Sequence, residues 1–215
     1  MVWHPPRGRP RHPRRGSGMS FRLGLTGSIG MGKSTTAQMF KDHGCALWDA
    51  DAAVHRLYGK GGAAVAAMQG AFPDAIENGG VSRDRLREII AADADALPRI
   101  ERIVHPLVAQ DRQDFLATAT EDIVVLDIPL LFENSSETMM DAVVVVSVPP
   151  EVQRARVLAR PGMTAERFDL ILSRQMPDAE KRARADYVIE TDTIDHARAQ
   201  VASVVADIRK MLAHA

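Results

Sequence analysis

The chain has one cysteine, Cys45, among 215 residues. It can form no internal disulfide, has no CxxC partner to hold a metal, and is at home in a reducing cytoplasm. Long apolar runs are equally scarce. The longest candidates, Ile123–Leu126 and Ala142–Val148, fall far short of the roughly 20 residues of a membrane span, so a soluble protein is expected. Basic excess is missing too: the formal charge is -1, and the arginines of residues 1–18 have no acidic neighbours, which leaves the remainder net acidic. A folded part without basic excess speaks against nucleic-acid binding. No Asn-Lys-x-Asp guanine motif occurs, which speaks against a GTP-dependent switch. The length suits one sizeable α/β domain with an inserted subdomain, and not two independent enzymes.

What the chain does contain is a phosphate-binding loop. In FRLGLTGSIGMGKSTT, Phe21 to Thr36, an apolar strand breaks into glycines, and Gly27, four residues, then Gly32-Lys33-Ser34 is the Walker A spacing. Glycines permit positive φ and bring a row of backbone N–H groups against phosphate oxygens. Lys33 supplies a point charge for the β and γ phosphates, Ser34 offers its hydroxyl to Mg²⁺, and the helix that starts here aims its positive end at the same anion.

Residues 1–18, rich in Pro, Arg and Gly, read as a disordered basic extension, with Met19 as the expected working start. A second strand, Ala46 to Trp48, ends on Asp49-Ala50-Asp51, where the carboxyl end of a parallel strand favours ligand chemistry; Asp51 as a helix cap is the plainer alternative. From 59 to 120 glycine turns punctuate helical stretches at Ala63 to Gly70, Arg83 to Ala92 and Leu97 to Ala119 with no strand period, which reads as a helical insertion. His105-Pro106 is expected to kink or divide the last of these helices. His105 itself is either a structural histidine or a polar group facing a substrate.

The third strand, Ile123 to Ile128, has the look of a Walker B strand whose Asp127 holds Mg²⁺ opposite Ser34. A fourth strand, Ala142 to Val148, is stopped by Pro149-Pro150, and its continuous valines suit a sheet covered on both faces. A helix from Glu151 to Arg160 places Arg156 and Arg160 on one face, and a second runs from Thr164 to Gln175. At this position in a phosphate-loop fold, the arginines read as a lid over a transferring phosphoryl group, residues 150–176, in preference to a solvated basic face. A fifth strand, Tyr187 to Glu190, and a helix from about Ile194 to Leu212 close the chain.

These separated motifs resemble the dephospho-coenzyme A kinase family over Phe21 to about Leu212. The resemblance rests on Leu25 to Thr35, Asp49-Ala50-Asp51 with His55, His105-Pro106-Leu107, Asp127 to Glu133, Arg156 with Arg160, Gln175-Met176-Pro177 and Ala185 to Ile189. It implies a P-loop α/β fold of three αβα layers with a five-stranded parallel sheet. The core would be 19–58 and 121–215, with 59–120 as a helical coenzyme A subdomain. It also implies that ATP, with Mg²⁺, phosphorylates the 3′-hydroxyl of dephospho-coenzyme A, with no obligate protein partner, no nucleic acid and no membrane.

By the same resemblance, Asp51 is the general base and Lys33 with Gly30, Met31, Gly32, Ser34 and Thr35 forms the ATP phosphate site. Arg156 is the lid arginine, with Arg160 and Gln175 on the same lid. Asp49, His105, Pro129, Leu130 and Glu133 fall where the acceptor is held. The chain departs from the family at Glu190-Thr191-Asp192, where an Asn and a small residue are usual near the adenine. A kinase for another small acceptor, such as a nucleoside monophosphate or shikimate, is the rival expectation.

Overall fold

The computed structural model describes residues 20–214, so the basic extension and Met19 lie outside it. The described chain forms two compact units, 48–118 and the segments on either side of it.

In the larger unit a five-stranded sheet runs in the order β2 (Ala46–Asp49), β5 (Ile123–Asp127), β1 (Phe21–Thr26), β6 (Ala142–Ser147), β7 (Tyr187–Glu190). β1 is central and pairs parallel with β5 and β6, while β7 extends β6 in parallel. The register sets Leu25 opposite Asp127 and Thr26 opposite Val145. Alternation with period two explains the core. Phe21, Leu23 and Leu25 share one face with Ile123, Val125, Val144 and Val146, under α1 (Lys33–Asp42) and α9 (Ile194–Ala213). On the other face Leu131 and Met140 close over Gly24. With both faces covered, β5 and β6 are buried at every residue, which is why their valines run without polar interruption.

Cys45 lies in this core, and burial above all pushes its thiol up to about 11, with nearby Asp122 and Glu121 adding to the effect and Arg209 opposing it. The folded state therefore favours the protonated thiol, and stability is expected to fall as pH rises from the ordinary thiol value of 9.0 toward about 11. At pH 8 Cys45 should resist iodoacetamide in the native protein and react once denaturant unfolds it, which intact mass reads directly. Rapid native labelling would contradict this burial.

The chain after β6 continues through α6 (Pro150–Leu158) and α7 (Ala165–Ser173) to α8 (Asp178–Arg184). α6 ends at Leu158 with Ala159 as its C-cap, so Arg160 belongs to the following turn and does not share a helical face with Arg156 as expected. Pro161-Gly162 follows, and Gly162 at φ 72 completes the turn. α8 was not legible in the sequence. Its seven residues, DAEKRAR, carry no apolar stripe, and what it buries is a lysine.

The smaller unit holds α2 (Ala50–Tyr58), α3 (Val65–Ala71), α4 (Arg83–Ala92) and α5 (Ala96–Thr118) around Leu57, Met68, Phe72, Leu86, Ile100 and Val104. Its boundary at Trp48 precedes the expected insertion because α2 packs on α5. Trp48 Nε1 donates to Asp111 Oδ1 at 2.7 Å, and the Arg56 guanidinium grips the same carboxylate. Burial raises the Asp111 carboxyl, but Arg56 and Trp48 together hold it below its usual range.

Two expectations for this unit are corrected. A two-stranded hairpin, β3 (Ile76–Glu77) and β4 (Gly80–Val81), turns on Asn78 and Gly79, both at positive φ. Asn-Gly is a strong hairpin signal, but strands of two residues are too short to show a period. α5 also continues through Pro106 undivided, so of the kink or division expected there the division does not occur. Pro106 is exposed, so water can satisfy the carbonyl whose helical partner it removes.

Candidate active site

The phosphate loop leaves the carboxyl end of the central strand, where parallel sheets place their ligands. Two of its glycines are obligatory. Gly30 has φ 79, and a Cβ there would stand 2.4 Å from Val157 Cγ2. Gly32 has φ 86 as the N-cap of α1, with no side-chain cap. The first N–H groups of α1 thus have no partner inside the helix or at its cap and face outward with the positive end of the dipole. Ser34 and Thr35 are exposed on this first turn.

Lys33 Nζ is ion-paired with Asp127 Oδ1, and the Asp127 side chain is only 2% exposed. The register explains the meeting, since Asp127 ends the strand beside the loop's own. Thr26 Oγ1 donates to Pro129 O at 3.0 Å, which fixes the chain just beyond Asp127. No group of three or more His, Cys, Asp or Glu that could hold a metal occurs among the described residues. Mg²⁺ commonly takes one or two carboxylates and completes its shell with phosphates and water. The hydroxyl of Ser34 and the carboxylate of Asp127 are hard oxygen donors of that kind.

The backbone of the loop is held from behind. Gln153 of α6 is 5% exposed and donates from Nε2 to Ile29 O at 2.7 Å. Gln175 Oε1 accepts from Ile29 N at 3.2 Å. Thr191, just after β7, donates from Oγ1 to Met31 O at 2.7 Å. Arg156 is half-buried and donates to that hydroxyl at 3.3 Å and to Thr191 O at 2.7 Å. The departure from the family pattern at Thr191 therefore supplies a hydroxyl to the loop. Asp192 turns away to pair with His196.

Glu133 joins two segments of this unit. Its Oε1 accepts from Met176 N at 2.8 Å and lies 2.9 Å from Nζ of the fully buried Lys181, an ion pair without hydrogen-bond geometry. Burial pushes the Glu133 carboxyl up, but Lys181 and the Met176 amide outweigh it and hold the group below its usual range. Replacing Lys181 by methionine leaves this carboxylate without its buried counter-ion. A loss of about 3–5 kcal/mol in denaturant unfolding is expected, partly recovered when Glu133→Gln is added. An unchanged midpoint for Lys181→Met would contradict the pairing.

Asp49, Asp51 and His105 belong to the smaller unit. Asp49 is the N-cap of α2, accepting from Ala52 N at 2.9 Å. The expected alternative of Asp51 as cap is thereby replaced: Asp51 sits exposed in the first turn with its carboxylate not used for capping. His105 is exposed in a shallow concavity with Pro98, Glu101, Arg102 and Pro106. Leu130 is 38% exposed and Arg160 is exposed. Gln153 and Lys181 had no motif to mark them, because a glutamine or lysine inside a charged helix reads as solvated until its burial is seen.

A phosphate loop on the central strand, with an acidic residue ending the strand beside it, defines the P-loop NTPase class of α/β proteins. Residues 21–196 match the family described as CoaE, dephospho-CoA kinase, and the chain belongs to it. It is 66% identical over 197 residues to the dephospho-CoA kinase of Ruegeria pomeroyi, covering 92% of this chain and 100% of that one. Among solved structures it is similar to TT1252 from Thermus thermophilus, at 31% identity and a TM-score of 0.78 over 88% of this chain and 97% of that one. The dephospho-CoA kinase from Campylobacter jejuni shares the fold, with a TM-score of 0.62 at 22% identity over 88% of this chain and 98% of that one.

Proposed function

We propose that the chain is an ATP-dependent phosphotransferase that moves the γ-phosphoryl group of ATP to the 3′-hydroxyl of the ribose of dephospho-coenzyme A, the last step of coenzyme A synthesis. The observation that carries this reading is the full-length match to a named dephospho-CoA kinase, on a chain whose Walker A lysine meets a strand-end aspartate.

Phosphoryl transfer asks for in-line positioning and charge neutralisation more than for covalent intermediates. The N–H groups of Gly30 and of Gly32 to Thr35, with the ammonium of Lys33, take the phosphates, while the Met31 N–H is committed to Ser28 O. Ser34 and Asp127 are the residues that would hold Mg²⁺, which neutralises charge on the phosphates when bound. The ammonium of Lys33, paired with Asp127 in this structure, has three N–H donors with which to reach a phosphate. Asp51 orients the acceptor hydroxyl and takes its proton late in a loose transition state. Arg156 and Arg160 supply the lid charge, while Asp49, His105, Pro129, Leu130 and Glu133 serve the acceptor. The helical unit is large enough for a pantetheine-bearing nucleotide. A cytoplasmic setting is supported by the lone, buried thiol.

A coupled ADP-release assay tests this, with dephospho-coenzyme A as acceptor and with and without Mg²⁺. ADP formation that depends on both is expected, with no comparable turnover of nucleoside monophosphates or shikimate. A folded protein that released no ADP would overturn the reading.

A further inference from the structure

Two buried side chains outside the Walker motif set the direction in which the phosphate loop presents its N–H groups. Gln153 Nε2 bonds the carbonyl of Ile29, and Thr191 Oγ1 bonds the carbonyl of Met31. No described peptide bond is cis. In a trans peptide the carbonyl oxygen and the amide hydrogen point in opposite directions. Drawing Ile29 O toward α6 therefore turns the N–H of Gly30 the other way, and drawing Met31 O toward the end of β7 does the same for the N–H of Gly32. Both N–H groups belong to the loop that takes the phosphates. Gly30 and Gly32 are also the two loop residues at positive φ, where a peptide plane without a partner would be free to reorient.

The surroundings fit this assignment. Gln153 and Thr191 are 5% and 8% exposed, so neither bond competes with bulk water. Arg156 donates to the Thr191 hydroxyl, which directs the hydroxyl's own proton to Met31 O. Gln175 accepts the Ile29 N–H, so that amide is already committed and the peptide on the other side of Ile29 is held as well. Gln153 and Arg156 sit three apart on α6, so one helix grips the loop directly and through Thr191.

We propose that Gln153 and Thr191 are positioning residues for nucleotide phosphate binding, acting by fixing the peptide planes that precede Gly30 and Gly32. The inference rests on the kinase reading for its ligand, ATP, but not on the acceptor. Gln153→Leu removes the bond to Ile29 O, and Thr191→Val removes the bond to Met31 O together with the one its hydroxyl accepts from Arg156, each keeping most of the side-chain volume. Each is expected to weaken ATP roughly tenfold, the worth of one well-made buried hydrogen bond, both as Kd by calorimetry and as KM for ATP. KM for dephospho-coenzyme A should be unmoved. Thr191→Ser restores the hydroxyl and should recover most of the loss.

Unchanged ATP affinity in both folded variants overturns the proposal. So does an equal loss in Thr191→Ser and Thr191→Val, which would assign the effect to packing. A rise in both Michaelis constants that tracks a fall in Tm also overturns it, as a merely structural role. Because Kd for ATP is measured without acceptor, the test stands even where the wild-type chain fails to turn over dephospho-coenzyme A, and that failure would count against the function alone.

Discussion

Lys33→Ala is expected to abolish measurable turnover and to weaken ATP binding by about 10²-fold or more, the usual cost of removing one preorganised charge from a phosphoryl-transfer site. The ammonium is the one side-chain cation of the Walker motif, and its partner in this structure is the buried Asp127. Deleting it therefore acts twice: the phosphates lose a charge, and a carboxylate that is 2% exposed loses a counter-ion. Lys33→Met, which keeps the apolar stem, separates the loss of the charge from the loss of side-chain packing. It should lose turnover as fully as the alanine variant, and both proteins should be checked for fold by circular dichroism and for ATP affinity by calorimetry. Retained activity in either folded variant would contradict the role of the loop.

Asp51→Asn should lower kcat by roughly 10²-fold or more while ATP binding survives, within the range usual for a group that handles a proton. The structure makes this a clean substitution. Asp49, and not Asp51, caps α2, so the change of one oxygen to an amide at an exposed first-turn position removes no hydrogen bond that α2 needs. The cost to stability should be only the few tenths of a kcal/mol that an acidic residue contributes near a helix N-terminus. A fall in kcat at unchanged Tm then reports on chemistry. Near-normal turnover would remove Asp51 from the mechanism, whatever the outcome at Lys33.

The parallel sheet was legible because each strand is a short, largely apolar stretch closed by glycine, proline or an acidic residue, and those signals are local. The helices of the smaller unit were legible from glycine punctuation for the same reason. α8 and the short hairpin were not, since a charged seven-residue helix and strands of two residues have no period to read. Pro106 shows the opposite failure. A strong local rule predicted a kink or a division, and exposure to water let the helix escape the division.

At the site, the residues proposed to touch phosphate follow from spacing alone, because Walker A chemistry is made by consecutive backbone groups and two side chains. Those that hold that backbone come from far along the chain. Gln153 and Thr191 lie 124 and 160 residues from their loop partners, and nothing local distinguishes them from solvated neighbours. Glu133 illustrates a third case: expected at the acceptor, it also carries an ion pair to a lysine no motif had marked.

The sequence by itself thus determined where a phosphate loop lies, after the first strand, and which acidic and basic residues are available near it. Which of two aspartates caps a helix was decided only in three dimensions, as were the pairing of Lys33 with Asp127 and the choice of side chains that turn the loop's peptide planes. The physical reason is that anion binding by consecutive N–H groups is encoded in consecutive residues. Orienting those groups takes buried partners that only the packing of distant helices and strands brings within hydrogen-bond reach.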